Sequence, residues 1–111
     1  MGAGNFQDQT QYNKREMLNF ADQLDQKIKE LNDLRASLKS NIAGVGQNWN
    51  MLDADAAGIY DTFQEKGNLY DCCLISAQDA MCDFYQKLTG QESKYAIAES
   101  EVRKAENEMI R

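Results

Sequence analysis

Apolar residues recur every seven positions along two long stretches of this chain, and that spacing limits the fold more than any other feature. The first stretch carries Met17, Leu24, Leu31, Leu38 and Val45, with Phe20, Ile28, Leu34 and Ile42 filling a second row. The second stretch carries Ala56, Phe63, Tyr70, Ala77 and Phe84, with Tyr60, Leu74, Met81 and Leu88 beside them. A seven-residue recurrence keeps side chains on one face of an α-helix, whereas strands alternate with period two. The chain contains no proline, so nothing interrupts a helical ladder by removing a donor. The spacing predicts an all-α fold.

Glycines and acids set the expected boundaries. Gly44 stands where a helix commonly ends on a glycine, and Asp53 and Asp55 lie where carboxylates favour the positive end of the next helix dipole. The expectation is a single domain: a helix over residues 6–43, a turn over 44–52, a helix over 53–90 and an amphipathic tail over 91–111. A short connection between two long helices makes an antiparallel hairpin the economical arrangement. Gly67 falls inside the second row, but the heptad phase is the same on both sides of it, so the helix is read as continuous with a local hole. Folding the hairpin about residue 49 sets Leu31 opposite that hole.

The same fold-back leaves the tail unmatched. Residue 6 pairs with about residue 92, yet the phase runs through Gly90 along Leu88, Tyr95, Val102 and Met109. The tail is therefore expected to be a helical overhang with nothing in its own chain to pack on. The apolar face of the second helix is also wider than a two-helix seam, because Ile59 flanks Tyr60, Cys73 flanks Leu74 and Tyr85 flanks Phe84. Burying each such side chain contributes roughly 1.5–3 kcal/mol. A lone hairpin forgoes several of these, so a four-helix assembly with a partner or with a second copy is expected. The partner-binding face is assigned to Ile59, Tyr60, Phe63, Tyr70, Leu74, Met81, Phe84 and Leu88.

Composition narrows the chemistry. Twelve basic residues against eighteen acidic ones leave a net charge of −6, unsuited to nucleic acid or anionic lipid as the main target. No apolar run reaches the roughly 20 residues of a membrane span. The N-terminus "MGAGNFQDQT" has neither the basic nor the apolar region of a classical signal peptide, so the protein is expected to begin in the cytoplasm. Cys72, Cys73 and Cys82 have no metal-type spacing and there is no histidine, so no metal or cofactor is expected. A cysteine nucleophile would lack its usual base. An enzyme is not expected; the thiols are read as buried or half-buried and free, as suits a reducing compartment.

About 100 residues, no proline, a helical hairpin and Trp49 in the turn together resemble the small WXG-type proteins of bacterial type VII secretion. The turn reads "WNM": Trp49 matches the motif, and Met51 occupies the glycine position. Ala56, Ala57, Tyr60 and Phe63 follow the small-then-aromatic pattern of the second helix. The missing glycine is similar to the divergent accessory proteins that accompany LXG-domain toxins. That resemblance implies binding to the helical N-terminal domain of a larger secreted toxin and presentation to the secretion ATPase machinery, with export of the complex. It also implies a C-terminal Tyr-x-x-x-Asp/Glu export element, supplied by Tyr95 and Glu99 in "YAIAE" and extended by Val102. Tyr12 to Glu16 has the same spacing; Tyr95 is preferred because it lies on the expected overhang. The alternatives are a homodimeric WXG-type secreted protein and an intracellular coiled-coil scaffold unrelated to secretion.

Overall fold

Long runs of good helix formers, broken by no proline, produce three α-helices in the computed structural model: α1 (Ala3–Trp49), α2 (Ala54–Thr89) and α3 (Glu99–Ile110). The structure describes the backbone of residues 3–49 and 54–110, with the side chains of residues 14–47, 55 and 57–110. No strand occurs among the described residues. The molecule is elongated, 76 × 25 × 20 Å, and α1 alone accounts for about 70 Å of that length at 1.5 Å per residue.

α1 and α2 pack along each other, with falling positions on α1 matched to rising positions on α2. Tyr60 meets Gly46, Gly67 meets Ile42, Asp71 meets Arg35, Gln78 meets Asn32 and Phe84 meets Phe20. The residues of α1 that this packing buries are Ala21, Ile28, Arg35 and Ile42, spaced seven apart. Sequence reading misassigned this row, because it took Phe20 and Leu34 in place of Ala21 and Arg35. Phe20 and Leu34 are half-exposed on the flank of the helix instead. An arginine in the middle of an apolar row hides it.

Arg35 is tolerated there because its charge is met. Its Nε donates to Asp71 Oδ1 at 3.0 Å and its Nη1 donates to Gln78 Oε1 at 3.0 Å. Lys39 adds a second cation 3.7 Å from Asp71 Oδ2. Gln78, only 1% exposed, in turn donates from Nε2 to Asn32 Oδ1 at 3.1 Å and to the Tyr95 carbonyl at 2.8 Å. Buried polar groups of this kind are tolerable only when satisfied. This layer ties α1, α2 and the segment after α2 to one register.

Three boundary expectations are corrected. α1 does not end at Gly44 but runs on to Trp49. Gly46 remains helical and serves as a close-approach site: a Cβ there would run into the Tyr60 ring, whose hydroxyl donates to the Ile42 carbonyl at 3.1 Å. The longer α1 shifts the register by about three turns, so Ile42, not Leu31, fills the hole at Gly67. α2 does continue through Gly67, as the unbroken phase predicts.

The third correction concerns the tail, which is not an overhang. α2 stops at Thr89, and Gly90 takes φ +73°, a left-handed conformation that favours glycine and reverses the chain. Thr89 Oγ1 then accepts from the Gln91 amide at 3.1 Å, and Ser93 Oγ accepts from the Tyr95 amide at 3.1 Å. α3 is helical as expected, but it packs against α2, with Val102 and Ala105 buried against Ile75 and beside half-buried Cys72 and Ile97. Heptad phase cannot report such a break, because seven residues of any conformation preserve the count.

Candidate partner-binding face

α2 turns 100° per residue, so neighbouring positions serve different faces. Ile75 packs toward α3, and Leu74, one residue earlier, is turned about 100° away from it around the helix. That second side carries Ile59, Phe63, Tyr70, Ala77 and Phe84, together with Leu74, Met81 and Leu88 nearer the seam. Ile59 is 62% exposed and Tyr70 68%; Phe63 and Phe84 are close to half-exposed, and Leu74, Met81 and Leu88 are half-buried. Tyr60 is held half-buried by its bond to α1.

The matching flank of α1 is apolar as well. Phe20, Leu24, Leu31, Leu34, Leu38 and Val45 all fall within one third of its circumference, and Phe20, Leu34 and Val45 are exposed. The Phe20 and Phe84 rings meet edge-on with centroids 5.8 Å apart, joining the two flanks at one end. At the other end Val45, Ile59, Tyr60 and Phe63 line a wholly apolar recess of about 250 Å³. The two helices thus share one apolar stripe, on the side of the α1–α2 pair away from α3. From Ile59 to Leu88 it runs about 45 Å. With helix axes 8–10 Å apart its width is about 15–20 Å, giving roughly 700–900 Å². A standard interface buries about 800 Å² per partner.

The sequence-based export residues are not brought together in the expected way. Tyr95 lies in the non-helical connector and Glu99 is the first residue of α3, so the two do not stand one turn apart on a single helix. Tyr95 is half-buried, with its amide and carbonyl both engaged. Glu99 is exposed and paired with Arg103 at 2.6 Å. Val102 is in the core, against Ile75. Trp49 is the last residue of α1; its side chain, and Met51, lie outside the described residues.

The thiols differ from one another. Cys82 is buried, Cys72 is half-buried beneath α3 and Cys73 is exposed, and all three are free. Burial pushes the Cys72 thiol above its ordinary pKa, aided by the neighbouring carboxylates of Asp71 and Glu108. Burial likewise raises Cys82, partly offset by a hydrogen bond with Ser93. Neither environment activates a thiolate. No helix among the described residues is long and apolar enough to cross a membrane.

Residues missed by sequence reading are Asn32, Arg35, Asp71, Gln78 and Ser93, the polar layer that orients the stripe relative to α3. The available signal was the seven-residue spacing of Asp71 and Gln78, two polar residues on the α1-facing side of an otherwise apolar helix. Compared with family models, curated proteins and solved structures, the chain matches none.

Proposed function

We propose that this protein is a helix-pairing partner in type VII secretion, which lays its α1–α2 stripe along the helical domain of a larger LXG-type toxin. The observation that carries the reading is the stripe itself: aromatic and aliphatic side chains exposed along two adjacent helices, over an area suited to a stable interface. A two-helix hairpin docked on it would give a four-helix assembly, the arrangement in which such a face is fully covered. The type VII context rests on the resemblance carried by Trp49, the small-then-aromatic start of α2 and the proline-free chain. On that resemblance alone, Tyr95 and Glu99 are kept as the export element. The complex would form in the cytoplasm and leave through the secretion machinery.

The test is co-expression with the helical domain of an LXG-type toxin, taken from the neighbouring genes where one is encoded there. A stable complex is expected, lost when Ile59→Lys and Tyr70→Lys are combined. A stable monomer that does not co-purify, or a complex indifferent to both lysines, overturns the reading. A dimer of the chain alone that ignores the toxin domain favours self-association instead. Tyr95→Ala is expected to abolish secretion and leave the complex intact; unchanged secretion removes the export assignment.

A further inference from the structure

Three features meet at the end of α2. The apolar row Leu74, Met81, Leu88 continues at the same spacing through Tyr95, Val102 and Met109, although the helix stops at Thr89. The connector "QESKYAIA" (residues 91–98) contains neither proline nor glycine, so every residue in it accepts helical backbone angles. The break itself depends on Gly90 at φ +73°, a conformation other residues adopt only with strain.

α1, meanwhile, outruns its neighbour. Phe20 stands opposite Phe84, five residues before α2 ends, so α1 from Ala3 to about residue 14 extends past the end of α2. A helix continuing α2 would lie beside that length. In the docked position α3 is held on α2 chiefly by its two buried residues, Val102 and Ala105, with Glu108 half-buried beside them. Helices of 12 residues are marginal unless packed. The same narrow apolar face therefore serves the docked position and would align with the stripe if α2 continued.

We propose that residues 91–110 form an arm hinged at Gly90, which exchanges between the docked position and a helical continuation of α2. In the extended form Tyr95 lengthens the apolar stripe beside the first turns of α1, and Val102 and Met109 carry it on past the start of that helix, making the arm a latent part of the partner-binding face. Extension gives up the Gln78–Tyr95 and Ser93–Asp25 hydrogen bonds and the packing of Val102 and Ala105 with Ile75, and it gains helical hydrogen bonds through the connector. Use of the lengthened stripe rests on the partner reading above; the hinge does not.

Spin labels at Glu65→Cys and Glu106→Cys, both exposed positions, report the exchange in the full chain with its three cysteines replaced by serine. Docked, α3 lies against α2 near residues 61–72, holding the labels within about two helix diameters, roughly 20–25 Å. Extended, 41 residues of continuous helix separate them by about 60 Å. Pulsed dipolar measurement on the isolated chain is expected to show mainly the short distance. Gly90→Ala should raise the population near 60 Å severalfold, because alanine disfavours the left-handed hinge and favours helix. Val102→Ser, which weakens docking without touching the hinge, should raise the same population. A single short distance in both variants overturns the proposal. So does a broad distribution well below 60 Å, which would mean an arm released but not helical. Failure to bind a toxin domain leaves these distances unaffected, so the two readings fail separately.

Discussion

Gln78, in the middle of α2, donates a hydrogen bond at 2.8 Å to the backbone carbonyl of Tyr95, a residue the heptad phase would place well beyond it on a free overhang. The same amide group accepts from Arg35 and donates to Asn32, so one side chain joins α1, α2 and the connector. Gln78→Leu should leave buried Arg35 and the half-buried Asn32 and Tyr95 carbonyl each short of a hydrogen bond, a loss of up to about 1–3 kcal/mol at the buried one and less at the others. A net loss of about 3 kcal/mol is expected in urea unfolding. Gln78→Glu keeps an acceptor for Arg35 but removes both donors, so hydrogen exchange should rise chiefly in residues 91–110 and less in α1. Equal loosening of all three helices would show that Gln78 does not hold the connector.

The contact between Gly67 and Ile42 offers a cleaner double-mutant test. A Cβ on Gly67 would collide with Ile42 Cδ1, the far end of a buried side chain. Gly67→Ala should therefore destabilise by about 1–3 kcal/mol despite its gain in helix propensity. Ile42→Val lacks the offending methyl and alone costs about 0.5–1.5 kcal/mol. The double variant is expected to be more stable than Gly67→Ala. Additive losses in thermal or urea unfolding would show that the two positions do not share one space.

The helices were legible because their apolar residues repeat with helical spacing and no proline intervenes. The flank of the stripe was legible for the same reason: Ile59, Phe63, Tyr70 and Phe84 lie on one side of α2, and the structure leaves all four exposed. What escaped depends on contacts between distant residues. Gly44 looks like a helix stop until Tyr60 is seen lying across Gly46 two residues on, and Arg35 looks like a surface charge until Asp71 and Gln78 are placed around it. Gly90 and Gly67 are both single glycines in a periodic stretch. One ends its helix because Ser93, Gln78 and Ile75 capture the chain beyond it; the other continues because Ile42 packs into its missing side chain.

The three thiols should react in order of access. With an alkylating reagent at neutral pH, Cys73 is expected to react first, Cys72 more slowly beneath α3, and Cys82 only on unfolding. Burial raises both Cys72 and Cys82, so the folded state favours their neutral forms over those in the unfolded chain. That contribution to stability is fully present below the unfolded thiol pKa and fades as pH rises from about 8.5 through the raised folded values. Urea midpoints should fall over that alkaline range, and replacing both Cys72 and Cys82 by alanine should flatten this part of the dependence. A midpoint as pH-dependent in the double variant would assign the effect to other groups.

Ile59 and Tyr70 allow folding to be tested apart from the proposed recognition. Both side chains are mostly in water, at 62% and 68% exposure, so neither contributes much to holding α1 against α2. Exposed substitutions away from caps and buried networks usually change stability by no more than about 0.5 kcal/mol. Ile59→Ser and Tyr70→Ser should each leave the unfolding midpoint within that margin, and removing apolar surface should reduce self-association at high concentration. Large exposed aromatics dominate binding where interfaces are well packed, and truncation of such an anchor commonly costs 2 kcal/mol or more. The expected outcome is an unchanged melting curve with a roughly thirtyfold or greater loss of affinity for the helical partner in the Tyr70 variant. If Tyr70→Ser lowers the melting temperature by several degrees yet leaves binding unchanged, the stripe supports the fold and not the interface.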